Sequence, residues 1–366
     1  MLRPKIFITG AAGQTGSAVA RLMLAGGYPV RALVRRADAR SEALKANGAE
    51  VVVADLGDTE AMFDALKGAQ RAYFVAGFDP AMLHQAVVFA TAAREAGLEQ
   101  IVQMTQWLAS PSHPALMTRQ HWLADRMLAT VPGVAHTIVE PGFFADVPYL
   151  ATLDYAAHLG VYPWPFSERK NAPPSAEDIA AVVAAALTDP AAHAGRRYRP
   201  TGPELLDGQA MAAAIGRALD RKVRLARMPM PLFLRAARLQ GLPIALLAVI
   251  RHYAADEAEG AFVIGAPTDH VRQVTGREPE TFESVARRHV AGLRRGLGPT
   301  IKQLARFMAV PMVPPPPIAR YTRGLHMPVP TEPVSAIRSP VWRAEHQAEP
   351  PAASASANPR LRSVAA

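Results

Sequence analysis

Cysteine is absent from the 366 residues of the chain. That excludes a disulfide scaffold, a thiolate nucleophile, a zinc–thiolate site and a cysteine-ligated iron–sulfur cluster. Long apolar runs are absent too. The run Leu242–Ile250 (LPIALLAVI) falls short of the roughly 20 residues a bilayer crossing takes. It reads as a buried helix, either core or an interface between copies. The one early apolar stretch, Ile6–Ile8, runs straight into a glycine-rich turn, so no secretory leader is read there. No H-x-x-x-H pair or dense His/Asp/Glu cluster points to a metal. The expectation is a cytoplasmic protein with no metal and no membrane partner.

The formal charge of +9 is unevenly placed. From Gly296 to Ala366 there are eight basic and three acidic residues; the preceding 295 residues hold 32 and 28. A body this close to balance, without a DNA-binding motif, argues against nucleic acid as a partner. The same last segment, 296–366, holds 13 of the 33 prolines and ends in a low-complexity Pro/Ala/Ser run. It is expected to be disordered, as a solvated extension or as an arm for a protein partner.

Before that segment the pattern is regular. Short apolar runs at Lys5–Thr9, Val30–Val34, Glu50–Ala54, Arg71–Val75, Gln100–Met104 and Ala135–Glu140 read as strands. Stretches of helical period separate most of them. Buried strands alternating with helices predict a doubly wound α/β domain with a parallel sheet. The expected organisation is a nucleotide-binding domain over 1–150, a smaller interleaved region completing the sheet and holding substrate over 151–295, and the tail.

Between the first strand and the first helix lies Gly10-Ala11-Ala12-Gly13-Gln14-Thr15-Gly16, with spacing G-x-x-G-x-x-G. The first glycine permits the turn off the strand, the second lets the backbone approach a pyrophosphate, and the third lets the helix pack on the sheet. The helix start then offers free N–H groups to phosphate. In this strand–turn–helix context the motif predicts a dinucleotide site of Rossmann type, with Gly10, Ala12, Gly13, Gln14, Thr15 and Gly16 around the cofactor. Where an NAD site carries a carboxylate after the second strand, this chain has Arg35-Arg36, which suits the 2′-phosphate of NADPH. Asp38 nearby keeps NADH as the alternative. Asp55 and Leu56 follow the third strand, where a carboxylate can reach the adenine amine or cap the next helix. Ala76 and Gly77 follow the fourth, where small residues let the cofactor lie close.

These segments resemble the NmrA-like family of atypical short-chain dehydrogenase/reductases. The resemblance is carried by ITGAAGQTGSAV, VRALVRR, the turn at Asp55–Asp58, HWLADRML, HTIVEPGFFAD and PSAEDIAAVVAAAL. It continues in RRYRPTGPELLDGQAMAAAIGRALDRKV and VTGREPETFESVARRHV, so that it runs from Lys5 to Leu293. It implies an NAD(P)-binding domain with a partly helical substrate region behind the sixth strand. The family includes NAD(P)H-dependent quinone oxidoreductases and also transcriptional co-regulators that bind the dinucleotide without turning it over.

The Tyr-x-x-x-Lys pair of ordinary short-chain dehydrogenases is missing: no tyrosine has lysine four residues later, and no lysine occurs between Lys67 and Lys170. Alcohol–ketone chemistry by that route is therefore not expected, nor is sugar-nucleotide epimerisation. Ligands of open α/β sheets lie beyond the carboxyl ends of the strands. Thr105, Pro141 and Gly142 are expected beside the nicotinamide, and Phe78, Trp107, Phe143 and Phe144 as a flat apolar slot for a planar acceptor such as a quinone. His121 is the candidate proton donor, with Asp125 one turn on to orient it and raise its pKa. The resemblance places His121 where relatives carry His or Lys. The expected function is an NADPH-dependent reductase of a small planar apolar acceptor; the alternative is a non-catalytic NADP(H)-sensing regulator working through protein partners.

Overall fold

Seven strands form one parallel sheet in the computed structural model, which describes residues 3–293 and 296–347. In chain order they are β1 (Ile6–Ile8), β2 (Val30–Val34), β3 (Glu50–Val53), β4 (Arg71–Phe74), β5 (Gln100–Met104), β6 (Ala135–Val139) and, after the strand β7 (Val161–Trp164), β8 (Arg197–Tyr198). The spatial order is β3-β2-β1-β4-β5-β6-β8. The order reverses between β1 and β4, and there the carboxyl ends of the strands leave a crevice.

Alternation along each strand supplies both faces with apolar side chains. Ile6, Ile8, Ala32, Val34, Tyr73 and Val102 pack under the helices Gln14–Ala25 and Ala176–Thr188. Phe7, Leu33, Phe74 and Ile101 pack under the helices Thr59–Leu66, Met82–Glu95 and Leu116–Leu128. The helix Ala176–Thr188, far along the chain, thus returns to the first helix, with the Ser175 hydroxyl accepting from the Asp178 amide at its start. β8 completes the sheet beside β6.

A third core lies beyond the carboxyl edge and is rich in aromatic rings, among them Phe143, Tyr149, Trp164, Phe166 and Phe262. The small parallel pair of β7 with β9 (Arg224–Arg227) and the helices Met230–Leu239 and Ile244–Glu259 belong to this side. The expected apolar segment at Leu242–Ile250 is internal: Leu247, Val249 and Ile250 are buried.

The tail departs from expectation. Residues 297–347 are not disordered but carry the helices Leu297–Ala309, Ile318–Gly324 and Pro340–Gln347. The prolines stand between these helices or at their starts, where no backbone N–H is needed. Trp342 is fully buried, and its indole N–H donates to the Trp107 carbonyl at 2.6 Å. Arg119 donates to the Pro328 carbonyl and Ala336 N–H to the Asp256 carboxylate, at 2.9 and 2.7 Å. Proline content alone does not register these few large anchors. The low-complexity end, 348–366, lies outside the described residues.

Candidate active site: a glycine turn opening on an apolar cleft

The turn after β1 is built for close approach. Gly10 has φ +57°, and a Cβ there would lie 2.9 Å from Val75 Cγ1. A Cβ on Gly16 would lie 2.3 Å from the Gly10 carbonyl oxygen, so the helix sits directly on the turn. Thr9 ties the turn to the end of β4: its hydroxyl donates to the Val75 carbonyl at 2.9 Å and accepts from the Val75 amide at 2.8 Å. The Tyr73 hydroxyl donates to Thr15 Oγ1 at 3.0 Å. The helix Gln14–Ala25 is capped by Gly13 with no side chain on its first amides, so those amides are available to an anion. A cradle that only glycine fills, joined to open helix amides, fits a dinucleotide pyrophosphate.

Two hollows flank the turn. The larger, of about 430 Å³, is lined by Gly10, Gly13, Gln14 and Thr15 on one side and by Ala76, Gly77, Thr105, Pro141 and Gly142 beyond the other strands. The smaller, of about 330 Å³, lies on the β2 side and is lined by Ala12, Ser17, Arg21 and Arg40. The glycine-turn residues, together with those after β4, β5 and β6, therefore come together as the sequence placed them. Asp55 and Leu56 do not join them. The Asp55 carboxylate turns onto its own loop to accept from the Gly57 amide at 2.7 Å, and Leu56 packs into the core. The cap of the next helix is Asp58.

Arg35 and Arg36 are exposed after β2. Asp38 is fully engaged. It caps the helix Ala39–Ala46, accepts from the amides of Arg40 and Ser41, and pairs with Arg40 at 2.7 Å and Arg36 at 3.6 Å. The Arg40 hydrogen bond leads the causes that hold its carboxyl at about 2. Arg40 also reaches the Ala12 carbonyl at 3.5 Å, which sets a third guanidinium beside the turn. Arg40 is not among the residues the sequence points to; its signal is its place two residues after Asp38, in a short helix that the pattern of apolar residues does not reveal.

The walls of the larger cleft are apolar. Phe78, Phe143 and Phe144 line it, with Leu246, Val249, Ile250 and Tyr253 from the helix Ile244–Glu259. Phe143 stacks on Phe262 with ring centres 5.2 Å apart. Among the described residues no Asp, Glu, Lys or Arg lines this cleft. Trp107 is a correction: it is 1% exposed, donates from its indole to the Ala261 carbonyl at 2.9 Å, and belongs to the core behind the cleft. In sequence the helix Ile244–Glu259 shows only its apolar character, because periodicity does not say which buried face meets a cavity.

His121 lines the cleft, but its expected link to Asp125 does not form. Asp125 faces the sheet, accepting from Gln103 Nε2 at 2.8 Å and lying 3.5 Å from Arg197. Burial pushes the Asp125 carboxyl up to about 7, against the pull of Arg197. Burial pushes His121 down to about 4, so its imidazole is neutral and the expected upward shift is reversed. Among the described residues no group of three or more His, Asp or Glu side chains could hold a metal ion, and no helix is long and apolar enough to cross a membrane.

Comparison with known proteins agrees with this geometry. The family model described as NAD(P)H-binding matches residues 10–190. An NAD(P)H azoreductase of Xenophilus azovorans is 32% identical over 296 residues, covering 78% of this chain and 98% of the relative. The crystal structure of an NADPH-dependent quinone oxidoreductase from Escherichia coli, complexed with NADPH, superposes with a TM-score of 0.65 at 25% identity, over 78% of this chain and all 100% of that one. NmrA, a negative transcriptional regulator, shares the fold with a TM-score of 0.63 at 20% identity, over 80% of this chain and 99% of its own. The chain belongs to the NAD(P)H-binding, NmrA-like family of atypical short-chain dehydrogenase/reductases and is an NAD(P)H-dependent oxidoreductase.

Proposed function

We propose that the chain reduces a small planar apolar acceptor, of the quinone or azo class, with NADPH as the preferred donor. One observation carries this reading: the cleft beside the glycine turn is walled by aromatic and aliphatic side chains and, among the described residues, by no charged one. A charged substrate would lose its hydration there without gaining a partner. A planar apolar acceptor would be held by Phe143, Phe144 and the helix Ile244–Glu259. The azoreductase and quinone oxidoreductase relatives support the same class.

Bound NAD(P)H supplies the hydride. The protein's part is placement. The glycine turn and open helix amides fix the phosphates, Ala76 and Gly77 leave room above β4, and the apolar walls exclude water and set the acceptor's plane. His121, neutral at physiological pH, donates one ring N–H to the acceptor's heteroatom and steadies the negative charge that develops there. The completing proton enters from solvent, because an imidazole held near 4 carries no second proton to give.

The preference for NADPH rests on Arg35, Arg36 and Arg40 and on the engagement of Asp38. A carboxylate already capping a helix and pairing with two arginines is not free to take a ribose hydroxyl. The test has two arms. Purified protein is assayed for NADPH oxidation against quinone, azo and enone panels; binding of NADPH without turnover of any member overturns the reading. Fluorescence titration then compares NADPH and NADH. Arg40→Ala, alone and with Arg35→Ala/Arg36→Ala, should weaken NADPH about tenfold or more, as loss of a charge-assisted contact does, and leave NADH nearly unchanged. Equal losses for both nucleotides would assign the arginines to the fold.

A further inference from the structure

The helix Leu297–Ala309 turns an uncovered apolar face outward. Leu297 is 76% exposed, Ile301 58%, Leu304 49% and Met308 67%. Steps of four, three and four residues place all four on one side of the helix. Met312, just beyond, is exposed as well. The helix is held in this rotation by its other side. Gln303 and Val310 are buried, the Phe307 ring meets Tyr155 at 5.7 Å, and Thr300 Oγ1 lies 3.0 Å from His158 Nδ1.

The charge along this stretch of chain is of one sign, with Asp154 of the neighbouring helix Leu153–Leu159 the carboxylate that shares Tyr155 with Arg306. From Ser284 to Thr331 the chain carries eight Lys and Arg residues and no Asp or Glu. Lys302 and Arg306 on this helix, and Arg320 and Arg323 on the next, are exposed, and no carboxylate among the described residues pairs with them.

We propose that this face docks the enzyme on the surface of an anionic lipid bilayer, with the helix lying in the interface plane. The apolar side chains would enter the acyl boundary while the basic ones reach the head groups. This departs from the sequence expectation of no membrane partner, which rested on the lack of a crossing segment and not on the face of a folded helix. Lipid fits better than a second copy, because a two-fold pairing would bring together two helices that each carry Lys302 and Arg306 and no carboxylate of their own. The chain beyond 347 offers only Leu361 and Val364 as large apolar side chains, too few to cover the face. The docking segment also touches the cleft's outer wall: Ile318 packs with Leu247 and Ile250 of the helix Ile244–Glu259, and Arg235 donates to the Pro311 carbonyl at 3.1 Å. The docking argument is independent of the reductase reading; together they bring an apolar cleft to the phase where apolar acceptors concentrate.

The test is flotation of the full chain with vesicles of mixed phosphatidylglycerol and phosphatidylcholine, against phosphatidylcholine alone, with sedimentation velocity in parallel. The expected result is binding to the anionic vesicles that falls at least tenfold in Leu304→Ser/Met308→Ser, in Lys302→Gln/Arg306→Gln and at high salt. NADPH binding and thermal melting of both variants should match the parent, since the altered side chains are exposed. No binding to anionic vesicles overturns the proposal, as does binding that the Leu304/Met308 variant retains. A dimer in the parent that this variant dissociates assigns the face to a second copy. Capture of an acidic protein through the face, with vesicles left unbound, assigns it to a protein partner.

Discussion

Gly16 and His121 mark opposite limits of what a single residue shows in sequence. Gly16 was legible because the spacing names both its neighbours and its task, and the structure leaves a Cβ no room: the contact is backbone oxygen, which no side-chain rotation relieves. Gly16→Ala should cost about 1–3 kcal/mol as overpacking does, and should weaken NADPH further by displacing the first helix from the turn. Thermal melting with and without NADPH checks it; an unchanged melt would mean that the helix can lift off the turn freely. His121 was legible as a cleft residue but not in its protonation state, because that depends on burial by chain segments far away in sequence. With its pKa near 4, it should add no limb to the rate profile between pH 6 and 8. His121→Phe should lower kcat about tenfold, the worth of one neutral hydrogen bond, and His121→Gln should restore most of it. A limb near pH 6.5 that vanishes in His121→Gln would instead make it an acid that titrates. Trp107 illustrates the remaining difficulty: an aromatic after a strand points in or out of a cleft according to which later segment packs on it. Here Ala261 and Trp342 do.

At the scale of elements, legibility follows how local the driving force is. The strands Val30–Val34 and Gln100–Met104 and the helix Thr59–Leu66 stand where their own apolar pattern puts them. The two-residue strand β8 has no such pattern and exists because β6 offers an edge to pair with. The same applies to β7, whose partner β9 lies some sixty residues later. The tail is the sharpest case. Its order rests on a few long-range contacts, led by Trp342, which no local composition records. Its ring stacks on His346 at 3.9 Å, while its indole reaches the Trp107 carbonyl behind the cleft. Trp342→Ala should therefore cost about 3–5 kcal/mol, as removal of a buried tryptophan does, although the residue lies beyond the nucleotide-binding sheet. Urea denaturation measures it. A loss below about 1 kcal/mol, the scale of an ordinary surface change, would show that the tail contributes little to the fold.

Across the whole molecule, burial of titratable groups ties stability to pH in a direction set by the histidines. Burial holds His121, His136, His252 and His346 each at about 4, well under the 6.5 of an exposed imidazole. Between pH 6.5 and 4 the unfolded chain thus takes up protons that the folded chain refuses, so stability falls as pH falls through that window. By pH 5 each histidine should account for about 1–2 kcal/mol of the loss. Asp125 works the other way: raised to about 7 by burial, it keeps a proton that its unfolded form sheds above 3.8, and offsets roughly one histidine. Glu140, buried but held near 2 by Arg197 and Arg199 against the cost of burial, stays ionised throughout and does not enter the balance. The net expectation is a loss of several kcal/mol, about 3–6, between pH 7.5 and pH 5. Urea midpoints at pH 7.5, 6 and 5 test it, and an unchanged midpoint would contradict the burial of these rings. The tail again supplies the internal control. His346 belongs to it, stacked on Trp342 and 3.7 Å from Glu140, so Trp342→Ala should admit water to that ring, raise its pKa and shallow the slope by about one histidine's share.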